Sequence, residues 1–165
     1  ERVRQELLLL TGFSPDSPVV LEKMPLPDIS RAALVNPQED RQQALGNNYE
    51  LRSGRMGNAG SNQELHKKQR QTELDENQMF ASLETLGDQI RSCQAEWEAA
   101  CAKEQAQRAV WQSAVRKREL GTMAEGEYLE IYSQYMEEKG NQAQASIRFL
   151  LAMEEYDWAK KGLMD

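Results

Sequence analysis

Every proline of this chain falls within the first 37 residues, as Pro15, Pro18, Pro25, Pro27 and Pro37. The 128 residues that follow contain none. Proline lacks a backbone N–H, and its ring clashes with the preceding helical turn. A proline-free run rich in Glu, Gln, Ala, Leu, Lys and Arg therefore predicts long helices with few interruptions. That points toward a rod or a tube and away from a pocketed enzyme.

The first residues, up to Leu10, read as the last turns of a helix, with Gly12 as its C-terminal stop. A chain that opens inside a helix is expected to continue upstream. Residues 13–35 form an irregular, proline-rich segment. Within it Val19-Val20-Leu21 suits an extended run, Pro25-Leu26-Pro27 cannot be a central strand, and Ser30 to Leu34 suits one helical turn.

Three further helix starts share one chemistry, an N-cap side chain followed three residues later by Glu. They are Asn36-Pro37-Gln38-Glu39, Ser61-Asn62-Gln63-Glu64 and Thr122-Met123-Ala124-Glu125. Gly60 and Gly121 precede the last two and suit the left-handed end of a preceding helix. These signals predict helices over about 37–56, 61–118 and 123–163. Gly54, Gly57 and Gly60 place a turn near 57–60, the alternative being a helix that runs straight through.

The middle helix carries a seam. Met79, Leu83, Leu86, Ile90, Cys93, Trp97 and Ala100 recur in alternating steps of four and three, the signature of a helix packed along one stripe. The same register continues through Glu104, Gln107, Trp111, Ala114 and Arg118, so the seam is expected to loosen or open to water there. The last helix carries Tyr128, Leu129, Tyr132, Tyr135, Met136, Ala143, Ile147, Leu150, Leu151, Met153 and Trp158. Gly126 and Gly140 either weaken that helix or allow close contact. At about 1.5 Å per residue the three helices measure about 30, 87 and 61 Å. The first and third add up to roughly the second. The fold class is thus all-α: a long antiparallel hairpin in which one long helix packs against two shorter ones. Its parts are a helix end at 1–12, the irregular segment at 13–35 and the hairpin at 36–165.

Composition excludes several functions. A net charge of −7 argues against nucleic acid as a main partner. Lys67-Lys68-Gln69-Arg70 and Arg116-Lys117-Arg118 read as solvated helix faces. A mean hydropathy of −0.77 suits an elongated structure or one face of a larger assembly. Cys93 and Cys101, eight residues apart on one helix, lie about 12 Å apart and cannot pair within the chain. They read as buried free thiols at a seam. No run of about 20 apolar residues is present to span a bilayer.

Enzymatic chemistry is not evident. His66 is the single histidine and sits in a polar helical stretch, with no Glu-x-x-His pair for a di-iron site. The cysteines lack zinc spacing. The glycines at 54, 57 and 60 are followed by no Gly-Lys-Ser/Thr and do not make a phosphate loop. The expectation is a non-enzymatic protein with no cofactor and no metal.

The layout and several short motifs resemble half of a TolC-like outer-membrane efflux protein. Ala44-Leu45-Gly46-Asn47-Asn48-Tyr49-Glu50-Leu51-Arg52 is similar to that family's "AL-x-NNPEL-(R/K)" pattern. Residues Lys117 to Leu129 resemble its tip turn, and Tyr156, Ala159 and Leu163 resemble the "Y-x-x-A-x-x-x-L" close of its final helix. Arg4 to Phe13 looks like the same kind of helix end from a preceding repeat. Family members insert two barrel strands between the first and second helices; here Gly54 to Gly60 occupies that place. Lys117 and Arg118 also depart from the arginine and aromatic common at the tip.

The resemblance implies a component of an efflux or export conduit in the cell envelope, outer-membrane associated on its periplasmic side, built by self-association as a trimer. It implies a periplasmic adaptor-type helical hairpin as partner, met at the tip turn. Lys117, Arg118, Leu120, Gly121, Thr122 and Glu127 are the candidate contact residues. The alternative is a structural coiled-coil spacer or interaction module that transports nothing. A conduit needs two adhesive lateral faces, whereas a spacer needs one seam. Trp97 and Trp111 mark one seam, and Ala99, Ala102, Ala106 and Ala109 are candidates for a second.

Overall fold

In the computed structural model the described residues are 2–14, 17–20, 22, 25–56 and 59–163. They form six helices: α1 (Arg2–Leu10), α2 (Ile29–Ala33), α3 (Pro37–Asn47), α4 (Tyr49–Met56), α5 (Asn62–Glu119) and α6 (Glu125–Lys160). No strand occurs among them. The long α5 packs along α6 and, toward its own start, along α3 and α4. This is the expected one-against-two hairpin. Its exposed surface is 12051 Å² for 18.9 kDa, against about 8,300 Å² for an ordinary compact monomer of that mass. The excess is the signature of a rod.

Capping chemistry sets most boundaries. The Asn36 side chain accepts from Gln38 N at 3.2 Å, with Pro37 at the first helical position. Ser61 Oγ accepts from Glu64 N at 3.3 Å, while Glu64 Oε2 reaches back to accept from Gly60 N at 2.8 Å. Helix α4 stops at Met56 and α5 starts after the extended Ser61, so no helix runs straight through. Gly57 and Asn58, part of the expected turn, lie outside the described residues. Whatever their path, the five positions from 57 to 61 are too few for transmembrane strands, which need about 9–11 residues each.

The structure corrects three expectations. First, the helix expected over 37–56 is two helices. Asn48 is extended at φ −67°, ψ 118°. Its N–H closes α3 on Ala44 O at 3.1 Å, and its side chain accepts from Leu51 N at 3.0 Å to open α4. An asparagine side chain competes with the helical ladder for backbone N–H groups, and here it ends one helix and caps the next. Second, Thr122 is not an N-cap. The cap of α6 is Ala124, which makes no side-chain cap bond. Third, the polar stretch of the α5 seam opens only in part: Gln107 and Trp111 are half-buried and Arg118 is exposed, whereas two positions stay enclosed. Glu104 is 5% exposed and Ala114 1%. Arg108 donates to Glu104 Oε1 from Nε at 3.0 Å and from an Nη at 2.8 Å, so the carboxylate stays buried with a charged partner at the edge of the seam.

The main core lies in the half of the hairpin away from the tip, reaching up to Trp97. Leu83, Ile90, Phe149, Tyr156 and Ala159 are each about 1% exposed or less, with Met79, Ala44, Leu51 and Met153 beside them. Full burial of a large apolar side chain stabilises a fold by about 1.5–3 kcal/mol. Cys93 and Trp97 pack on this core, half-buried rather than buried. Burial pushes the Cys93 thiol upward from its ordinary range.

Where α6 ends, α3 overlaps it instead of abutting it end to end. Asp40 of α3 accepts from Tyr156 OH at 2.7 Å and pairs with Lys160 Nζ at 2.8 Å. Asn47 Nδ2 donates to Lys160 O at 2.9 Å. Gly87 leaves room on α5 for Pro37, whose ring lies 2.8 Å from where a Cβ would stand. The irregular segment is tied down as well. Arg4 donates to Ser17 O and Val19 O at 3.1 and 2.9 Å, and Arg31 pairs with Glu154 and Asp157 of α6. Val19 and Val20 lie outside any helix or strand, and Leu21 falls outside the described residues. The helical turn expected near Ser30 is α2, capped by Asp28, and α1 ends at Gly12 with φ 81°.

Candidate interaction surfaces

The hairpin tip is built by the end of α5. Gly121 has φ 69°, a left-handed conformation in which a Cβ is strained. Its N–H bonds Arg118 O at 3.0 Å, and Thr122 N–H bonds Lys117 O at 2.9 Å. These two bonds form a Schellman close of α5. Thr122 Oγ1 donates to the same Lys117 carbonyl at 3.0 Å. The threonine thus finishes α5 and does not start α6.

The six tip residues expected from the sequence do gather at this end, in different roles. Leu120, the C-cap, is 77% exposed at the apex. Lys117 and Glu127 are exposed. Arg118 is engaged within the hairpin: its guanidinium lies 4.4 Å from the Tyr128 ring centroid and 2.8 Å from Glu125 Oε2. Gly121 and Thr122 supply the turn itself. The apex therefore presents one apolar side chain ringed by charge.

Below the tip an aromatic ladder closes the seam. Trp111 stacks on Tyr135 with centroids 4.8 Å apart and planes at 3°. Trp97 meets Phe149 at 5.9 Å. Among the described residues, Trp97 Nε1, Trp111 Nε1 and Ser146 Oγ are buried without a hydrogen-bond partner.

The feature that sequence reasoning misplaced lies on the outside of α6. Leu129, Tyr132, Met136, Ile147, Leu151 and Trp158 are between 39% and 56% exposed. They recur at helical spacing with Gly140 and Ala143 between them. The buried side of α6 is a different stripe: Tyr135, Ser146, Phe149, Ala152, Met153, Tyr156 and Ala159. The helix has two apolar faces, and the hairpin covers one. Neither Gly126 nor Gly140 is a close-contact glycine within the chain, since a Cβ on either would meet nothing within 4 Å.

A groove of about 820 Å³ adjoins this outer face where α6 ends beside α4 and α5. Tyr49, Trp158 and Leu163 line it, with Ser82, Thr85 and Glu155. No helix among the described residues is long and apolar enough to cross a membrane. Set against protein families, curated proteins and solved structures, the chain matches none.

Proposed function

We propose that this chain is a non-enzymatic, TolC-like element of an export or envelope-spanning assembly, in which helical hairpins pack side by side into a conduit or sheath. The observation that carries this reading is the second apolar face of α6. A hairpin serving only as a spacer needs one seam, and that seam is already filled. Five large apolar residues facing outward along one 36-residue helix, with Tyr132 at the edge of the Trp111 seam, form an exposed surface of the kind that marks an interface.

The motif resemblance adds the rest: a trimeric state, a location on the periplasmic side of the outer membrane, and a helical hairpin of an adaptor-type partner meeting the tip at Leu120. The short link between α4 and α5 leaves no room at that position for the family's barrel strands, so attachment to the membrane falls to another part of the assembly.

Light scattering and sedimentation of the full-length protein test this reading. A stable oligomer is the expected outcome. A monomer at every concentration would sink the conduit and favour the spacer. The tip contact has a separate test. Leu120→Asp should abolish capture of the partner hairpin in a crosslinking assay, and unchanged capture would remove the tip from the interface.

A further inference from the structure

The groove where α6 ends beside α4 and α5 has a chemistry of its own. Its volume of about 820 Å³ falls in the range of about 300–1,000 Å³ usual for sites that hold small organic molecules. Trp158, Tyr49 and Leu163 are exposed on its walls, so it offers aromatic and aliphatic surface to an occupant. Trp158 already serves as a cation platform within the chain. Lys161 Nζ lies 4.9 Å from its ring centroid, close enough for the negative face of an aromatic ring to attract a positive charge.

The polar part of the lining is one-sided. Glu50 and Glu155 are exposed on it, and no lysine or arginine is among its described residues. Gln89 donates to Glu155 Oε2 at 3.4 Å, and an amide leaves that carboxylate's charge uncompensated. Ser82 Oγ donates to Gln78 O at 3.1 Å, and Thr85 Oγ1 donates to Ala81 O at 2.9 Å. A hydroxyl has one hydrogen. Both hydrogens are spent on α5 itself, so these two side chains meet an occupant as acceptors.

We propose that this groove binds an organic cation with apolar or aromatic substituents. The carboxylates of Glu50 and Glu155 attract its charge, and the rings of Trp158 and Tyr49 take its apolar groups and the positive centre they surround. An anion of the same shape would meet two carboxylates and hydroxyl lone pairs, with no side-chain cation to receive it. All the walls come from one copy, so the site does not depend on the assembly proposed above.

Tetraphenylphosphonium and tetraphenylborate share a shape and differ in the sign of their charge. Isothermal titration calorimetry of the full-length protein with each tests the site. The cation is expected to bind saturably at one site per chain, and the anion is expected not to bind. Trp158→Leu and Glu155→Gln should each weaken the cation by about five-fold or more. Glu137→Gln, about 27 Å along α6 from Glu155, should leave it unchanged. All three positions are exposed, so circular dichroism should match wild type. Equal binding of both ions would reveal an apolar groove without charge selection and overturn the proposal. So would the absence of saturable binding, or wild-type affinity in both Trp158→Leu and Glu155→Gln. A loss in Glu137→Gln as large as that in Glu155→Gln would trace the binding to the chain's overall negative charge and overturn it as well.

Discussion

Tyr156 donates its phenolic hydrogen to Asp40 across 2.7 Å, and this bond joins the last helix to the first helix of the hairpin. The tyrosine is 1% exposed, so the hydroxyl could not be left without a partner at low cost. Lys160 holds the other oxygen of Asp40 at 2.8 Å. The pair thus fixes α3 beside the end of α6 at the place where the two shorter helices overlap.

A hydrogen bond to a charged group contributes about 1.5–3 kcal/mol. Tyr156→Phe should lower unfolding stability by about that amount, measured by urea denaturation at neutral pH. An unchanged midpoint would mean that the bond contributes nothing net.

The same tyrosine gives an alkaline dependence. Burial, then the hydrogen bond to Asp40 and its charge, push the phenol well above its ordinary range. A group whose folded pKa is raised stabilises the fold fully below its unfolded value, near pH 10 for tyrosine, and loses that contribution as pH climbs toward the folded value. Melting temperature should therefore fall above about pH 10. The fall should be shallower in Tyr156→Phe; equal slopes would exclude Tyr156 as its source.

Ser146 is 2% exposed, and its hydroxyl finds no partner among the described residues. A buried hydroxyl without a hydrogen bond costs about 1–3 kcal/mol. Ser146→Ala should therefore raise stability by about 1 kcal/mol, because it removes the polar atom while leaving a side chain that fits. The neighbouring Phe149→Ala should cost about 3–5 kcal/mol through lost burial and the cavity left behind. A loss of stability in Ser146→Ala would point to a hydrogen bond that the geometry does not show.

How much of this could be read from the chain depends on which face a residue occupies. The α5 seam was legible residue by residue, because four-and-three spacing marks a single stripe, and Asn36 and Ser61 announced their helices through capping chemistry. Helix α6 was harder. With apolar residues on two faces, its sequence does not say which face turns inward, so Leu129 and Met136 read as core while Ser146 and Phe149 went unnoticed. Glu104 read as a point of opening because a carboxylate favours water; the burial depends on Arg108 one turn away. Thr122 carried a capping pattern that fitted a helix start, yet its bonds belong to the helix before it. The tip cluster was legible as a place, while the outer face of α6 needed the fold to separate it from the seam.

The partnership of Glu104 with Arg108 makes a further prediction. Arg108 is half exposed, with 52% of its side chain accessible, whereas Glu104 is enclosed at 7%. Replacing a buried ionic group by an apolar one of similar volume is often neutral or stabilising by about 1–4 kcal/mol. Glu104→Leu should raise the melting temperature, because Arg108 can turn to water. Glu104→Ala should lower it by opening a cavity in the α5 seam. A fall in both would mean that the ion pair outweighs its desolvation.

Gly162 closes α6 with φ 80°, and a Cβ there would stand 2.5 Å from the carbonyl carbon of Asn47 and 2.6 Å from the Asn48 nitrogen. Both obstacles are backbone atoms and cannot rotate aside. Gly162→Ala must therefore adopt a left-handed conformation, at about 1–2 kcal/mol, and also push α6 away from the α3–α4 junction. Gly121→Ala at the tip meets no atom within 4 Å and carries the conformational cost alone. Gly162→Ala should thus be the more destabilising of the two in parallel denaturation curves. It should also raise hydrogen exchange at Asn48 and Leu51, whose amides depend on the junction's geometry. Equal losses would show that the α6 terminus is not held against the junction.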